Sequence, residues 1–219
     1  MKILNTEKED YHVHSINYSD GLNTIDEMVR FAGEIGMKKI VFTDHSQKGN
    51  EKEGKSLTCF RSAAQRWKNV HNDIEIVFGV EADLLNEKGD ICDDIQGIKG
   101  DFIILSYHPE IYQGAKKKLT QAFINAIERH HKIINAIGHL HAFSEDIDIL
   151  VVVEHANKYD IPLEFNCRYL NPKWGDVKRA KLMLSKAKSI YVNSDAHTLV
   201  ELRDGRKKGF DFLRENGYI

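Results

Sequence analysis

Short apolar runs alternate with longer stretches of helical periodicity along most of the chain. Residues 11–14 read as the end of a first strand. Residues 24–35 follow with apolar side chains at Ile25, Met28, Val29, Ala32 and Ile35, the spacing of one helix face. The runs 39–43 (KIVFT), 74–80 (IEIVFGV) and 102–105 (FIIL) predict a second, third and fourth strand. Residues 133–137, 161–165 and 189–192 predict a fifth, sixth and seventh. Helical patterns fill 57–70, 116–131, 147–159, 173–186 and 199–216. Strands that alternate with helices predict parallel βα units around a buried sheet. Seven such units in this length favour an α/β barrel over an open sheet. The polar loop 46–55 (SQKGNEKEGK) is expected to be mobile and to border a substrate.

Only three prolines are present, with no Pro/Gly/Ser-rich linker and no repeat, so residues 1–219 are expected to form a single domain. The 31 basic and 33 acidic residues nearly balance, giving a net charge of −2 that makes no electrostatic case for a nucleic-acid or membrane surface. The longest apolar runs are far too short to span a bilayer. The polar start lacks a secretory signal's apolar stretch, and Cys59, Cys92 and Cys167 form no CxxC pair. A cytoplasmic, reduced protein is the expectation.

The eleven histidines change the picture through their positions. His12 and His14 close the first strand, two apart and therefore on one side of it. Asp44 and His45 end the second strand, Glu81 the third, His108 the fourth, His139 the fifth, and Asp195 and His197 the seventh. In a parallel barrel those ends converge on the face where active sites are built. One His-x-His pair is what chance supplies, and His139-Leu140-His141 is another. The coincidence of so many on one rim points to a metal site. Nitrogen and oxygen donors without thiolate suit Zn²⁺, Mn²⁺ or Fe²⁺, and the number of donors suits two or three ions. Closely spaced ions can clamp the oxygens of a transferring phosphoryl group.

The run Asp10-Tyr11-His12-Val13-His14-Ser15 through Ser19-Asp20-Gly21 resembles the opening motif of the PHP (polymerase and histidinol phosphatase) family. Thr43-Asp44-His45, Glu81, His108, His139 and Ser194-Asp195-Ala196-His197 resemble its remaining motifs, in order. The resemblance covers essentially the whole chain. It implies a distorted (β/α)₇ barrel, TIM-like, with a trinuclear metal centre and phosphoester hydrolysis. Carried over, one ion is held by His12, His14, Glu81 and Asp195. A second is held by Glu81, His108 and His139, with Glu81 bridging, and a third by Asp20, His45 and His197. Asp10 and Asp44 are expected to orient imidazoles. The expected chemistry is attack of a metal-bridging hydroxide on phosphorus, with Asp195 or a water as the source of the leaving-group proton.

Arg168 and Asn166 follow the sixth strand and are candidates to bind substrate, Arg168 through a bidentate phosphate contact. His141 is expected to pack, and His71, His130, His131 and His155 to lie on helix surfaces or ends. Lys116–Lys118 reads as a solvated face. Phe60, Trp67, Phe123 and Phe143 read as core, and Cys167 as a small packed residue. The leading functional expectation is a phosphatase acting on a small phosphomonoester, with histidinol phosphate as one candidate. A nuclease or phosphodiesterase acting on nucleotides or nucleic-acid ends is the alternative, and a non-catalytic scaffold stands third.

Overall fold

A computed structural model describes residues 1–142 and 146–219, so Phe143 lies outside the described residues. The first half holds β1 (Lys2–Ile3), β2 (Glu9–Val13), β3 (Lys39–Phe42), β4 (Glu75–Phe78) and β5 (Val80–Leu84). Three short strands follow, β6 (Ile91–Cys92), β7 (Asp94–Ile95) and β8 (Ile98–Lys99). The second half holds β9 (Ile103–Ser106), β10 (Ala136–Ile137), β11 (Leu163–Asn166) and β12 (Ser189–Asn193). The helices are α1 (Ile25–Glu34), α2 (Gln47–Glu53), α3 (Phe60–Arg66), α4 (Leu119–His130), α5 (Ile149–Lys158), α6 (Val177–Leu184) and α7 (Leu199–Glu215).

Strand β2 pairs in parallel with β3, and β3 with β4. Strands β5, β9, β10, β11 and β12 then pair in parallel in that order. Two bridges close the ring, Val13 to Ala196 between β2 and the end of β12, and His45 to Glu81 across the top of β3 and β5. The result is the expected (β/α)₇ barrel, with β4 and β5 sharing one of the seven places.

The third strand is therefore two strands, and Gly79 is the reason. Its N–H donates to Phe42 O on one neighbour, while Val80 N–H donates to Phe102 O on the other. A Cβ at Gly79 would lie 2.4 Å from Phe102 O, so only glycine lets the chain cross between the two partners here. Strand five is shorter than expected, because residues 131–133 finish the turn after α4. Strand β1 was not foreseen; it adds to the outer edge of β12. Neither was the hairpin of β5 with β6, nor that of β7 with β8.

The loop at 46–55 is a helix, α2. Ser46 caps it by accepting from Lys48 and Gly49 N–H, and Gly54 ends it in the left-handed conformation at φ +68°. The barrel wall is apolar outside: Leu163 and Phe165 of β11 join Ile190 and Val192 of β12 against Phe123, Val152, Met183 and Leu213 of the helices. Phe60 and Phe123 are buried as expected, and Trp67 packs partly buried beside Phe78. Inside, Tyr11, Val41, Val77, Phe102, Ile104, Ala136 and Tyr191 form an apolar layer. By the strand period of two, Glu81, Glu164 and Asn166 turn inward with them, and a register shift in β2 between Asp10 and Val13 brings His12, next to Tyr11, to the same side; all four are buried. Buried polar groups persist only when partnered, and the partners define the site.

Candidate metal centre

His12 Nε2 and His14 Nε2 face each other at 3.0 Å. Glu81 Oε2 lies 3.5 Å from each, and Asp195 Oδ1 lies 3.8 and 3.2 Å from them. A tetrahedral shell with metal–nitrogen bonds of about 2.1 Å has ligand–ligand edges of about 3.4 Å. These four donors already stand at such spacings. The other oxygen of Glu81 serves a second group, with Oε1 2.8 Å from His139 Nε2 and 3.4 Å from His108 Nε2. Asp20 Oδ1 makes a third, 3.4 Å from His45 Nε2 and 3.0 Å from His197 Nε2. His45 also reaches back to Glu81, with Nδ1 3.0 Å from Oε2. Each of His14/Asp20/His45/His197, His12/His14/Glu81 and His45/Glu81/His108 offers ligand atoms within 4.8 Å of one another. All nine predicted ligands thus share one pocket or its wall.

The loops that carry these residues are fixed by their own chemistry. Gly21 is obligatory, because a Cβ there would stand 2.4 Å from His14 O. Asp195 adopts φ +54°, a left-handed conformation that costs a non-glycine residue stability and is held by the structure around it. His14 Nδ1 pairs with Ser19 Oγ at 3.0 Å, and Ser19 Oγ donates to Asp20 Oδ1 at 3.2 Å.

The electrostatics follow from packing imidazoles and carboxylates out of water. Burial disfavours charge on His12, yet Glu164, Glu81 and Asp195 outweigh it and hold its pKa well above the ordinary range. His108 is pushed up to about 10 against the same burial cost by Glu81 and Asp83. His14, buried and facing His197 and His45, falls to about 3. Despite burial, His12 and His108 hold Glu81 well below the carboxylate range, and His12, His14 and His197 do the same for Asp195.

A model of the PHP domain matches residues 10–173, well over half of the chain. The chain belongs to the PHP domain family. It is 27% identical over 203 residues to a "probable phosphatase" of Vibrio atlanticus, covering 89% of this chain and 80% of that one. It is 31% identical to another of Caldanaerobacter subterraneus, covering 86% of this chain and 75% of the relative. A DNA polymerase/3′-5′ exonuclease of Bacillus subtilis is 30% identical over 95% of this chain, which spans 37% of that protein. Among solved structures, histidinol phosphate phosphatase of Lactococcus lactis, complexed with zinc, L-histidinol and phosphate, shares the fold. Its TM-score is 0.56 at 18% identity, covering 96% of this chain and 94% of that one.

In this PHP domain the groups that orient imidazoles are not the expected ones. Asp10 accepts from His12 N–H, from Ser194 N–H and Oγ, and from Arg206 Nη1. Asp44 accepts from Ser15 N–H and Oγ. Both tie the backbone of the ligand-bearing loops together. The carboxylates that take imidazole N–H groups are Glu164, 2.7 Å from His12 Nδ1, and Asp83, 2.6 Å from His108 Nδ1. Neither was foreseen, although each stands two residues from a noted one, Asn166 and Glu81, on the same strand face. Asn166 is not a substrate group: it is buried, and its Nδ2 donates to Glu164 Oε2 and Asp195 Oδ2, both at 3.1 Å. Strand β11 runs one residue further than expected and turns this amide inward.

Arg168 does reach the mouth of the pocket, with Nη1 2.9 Å from His197 Nδ1. Glu53, from the unforeseen α2, and Glu110 also line it. His141 turns away, stacks on Phe165 and donates from Nε2 to Asn166 O at 3.2 Å; burial lowers its pKa to about 4. His71 pairs with Asp26 and His155 with Glu128, both on the surface. No helix among the described residues is long and apolar enough to cross a membrane.

Proposed function

We propose that this PHP domain hydrolyses the phosphomonoester of a small alcohol, using two or three divalent ions drawn from Zn²⁺, Mn²⁺ and Fe²⁺. His12, His14, Glu81 and Asp195 hold one; Glu81, His108 and His139 a second; Asp20, His45 and His197 a third. The observation that carries the reading is the division of Glu81, one oxygen toward His12 and His14 and the other toward His108 and His139. A carboxylate so divided would serve both of the ions held by these histidines, and the two ions together would polarise a phosphoryl group. Bound divalent ions supply Lewis acidity: they lower the pKa of water and neutralise charge on the phosphoryl oxygens.

The chain does the rest. Glu164 and Asp83 take the Nδ1 protons of His12 and His108, which aims both Nε2 lone pairs inward. Arg168 binds phosphate oxygens at the mouth, where its planar fork matches them. Glu53 and Glu110 around the same mouth repel a polyanion and favour a small ester over a nucleic acid. The relatives named as phosphatases support the monoester, and the neighbour bound to L-histidinol and phosphate puts histidinol phosphate first among candidates. The exonuclease relative supports the second reading, cleavage of nucleotides or nucleic-acid ends.

The test is hydrolysis by metal-analysed protein of histidinol phosphate, sugar phosphates, nucleoside monophosphates, cyclic nucleotides and a short single-stranded oligonucleotide. Monoester turnover is expected, with Glu81→Ala lowering kcat/KM at least about 100-fold and losing metal. Preferential cleavage of the oligonucleotide establishes the second reading. Full activity and unchanged metal content in Glu81→Ala or His12→Ala overturns the ligand assignment.

A further inference from the structure

Beside the metal pocket, on the outer side of Arg168, lies a cleft of about 320 Å³ between the segment after β11 and the first turns of α7. Its apolar lining includes Leu170, Trp174 and Val200; Trp174 is 48% exposed and Val200 59%. Large apolar side chains left open in a concavity, with a few polar groups among them, are the ordinary make-up of a ligand site, and this volume is at the small end for one. Gly205 also lines it, its Cα packed so closely on Ser194 that a Cβ there would stand 2.7 Å from the serine Cβ.

Arg168 lines both this cleft and the metal pocket. Its guanidinium stands 2.9 Å from His197 Nδ1 at one side, and its Cζ lies 5.5 Å from the Trp174 ring centroid at the other. A phosphate held over the metal ligands and against Arg168 therefore has its alcohol beside the cleft. Glu201 in the lining offers Oε1 as a carboxylate acceptor, and its Oε2 takes His197 N–H at 2.9 Å, tying the cleft wall to the metal loop; both oxygens of Asp204 are already held by Arg203.

We propose that this cleft receives a planar aromatic or heteroaromatic group carried by the alcohol half of the substrate, stacked on Trp174, with a ring N–H group facing Glu201. The proposal rests on the phosphomonoesterase reading above. It makes Trp174 a determinant of specificity, outside the chemical step. Two sources share this chemistry, a nucleobase and an imidazole-bearing side chain.

The test compares the metal-loaded wild type with Trp174→Ala and Trp174→Phe on three esters: a nucleoside 5′-monophosphate, histidinol phosphate and ringless glycerol phosphate. Trp174→Ala is expected to raise KM about tenfold for one or both ring-bearing esters, with kcat within about twofold and glycerol phosphate unaffected. Trp174→Phe restores most of the loss. Which ester responds names the source of the ring. An equal effect on all three esters, or none, overturns the proposal.

If the wild type hydrolyses none of the esters, the phosphomonoesterase reading fails, and the cleft is judged by binding instead. Tryptophan fluorescence is then titrated with guanosine and with L-histidinol in the presence of inorganic phosphate. A saturable change in the wild type that Trp174→Phe abolishes supports the cleft; no such change overturns it.

Discussion

At the scale of single residues, the candidate ligands were legible because metal chemistry restricts them to a few residue types, and the structure brings the nine together around one pocket. What supports them was less legible, since a carboxylate gives no sign in sequence of which proton it will take. The period of two that pairs His12 with His14 also pairs Glu81 with Asp83 and Glu164 with Asn166. Applied to those strands, it points all four inward. Glu164 is the strictest case. It accepts from His12 Nδ1 at 2.7 Å, His139 N–H at 2.9 Å, Asn166 Nδ2 at 3.1 Å and Asn193 Nδ2 at 2.9 Å. Four donors converge on one buried carboxylate, so a neutral amide must set its own N–H₂ against at least one of them. Glu164→Gln is therefore expected to weaken metal binding by about 10- to 100-fold while leaving the secondary structure intact. Chelator competition followed by metal analysis measures it, and wild-type affinity in the variant would remove Glu164 from the support of His12.

At the scale of elements, the barrel was legible and its irregularities were not. Buried parallel strands announce themselves as unbroken apolar runs, and the helices by their 3.6 period. Helix α2 has almost no apolar face, so periodicity cannot find it; only its serine cap and terminal glycine hint at it. The break at Gly79 is hidden for a different reason. IEIVFGV is one continuous run, and only the change of hydrogen-bond partner shows that β4 ends there. That break lets Glu81 stand beside His45 at the top of β3 while β5 pairs with β9. Gly79→Ala places a Cβ against Phe102 O, and that oxygen belongs to backbone that has little room to yield. A cost of about 2 kcal/mol is expected, lowering Tm by about 5 °C. Because the shift falls on β5, metal affinity should fall with stability. Thermal unfolding with and without added metal reads both, and an unchanged Tm would mean that the crossing does not depend on glycine.

At the scale of the whole molecule, the site makes the fold answer to pH in opposite directions with and without metal. In the ion-free protein His12, His45 and His108 lie above their ordinary value, because nearby carboxylates outweigh the cost of burial. A raised imidazole stabilises the fold fully below about 6.5, and that contribution is lost as pH rises toward the folded value, about 10 for His108. His14 and His141 are lowered by burial, to about 3 and about 4. Their contribution is present above about 6.5 and lost as pH falls, and the depressed carboxylates Glu81 and Asp195 add losses in the same direction at lower pH. Stability without metal should therefore peak near pH 6.5 and decline on both sides. Metal requires those imidazoles neutral, so protons compete with it and its affinity rises with pH. Bound metal stabilises in proportion to the logarithm of its concentration over Kd, so the stabilisation grows as pH rises. Between pH 6.5 and 9 the Tm of chelated protein is expected to fall while the difference between loaded and chelated protein widens. At pH 7 metal binding should release protons, read as a dependence of the calorimetric heat on the buffer's ionisation enthalpy. Parallel Tm curves with no proton release would mean that the histidine cluster is not where metal binds, and the phosphoesterase reading would lose its physical basis.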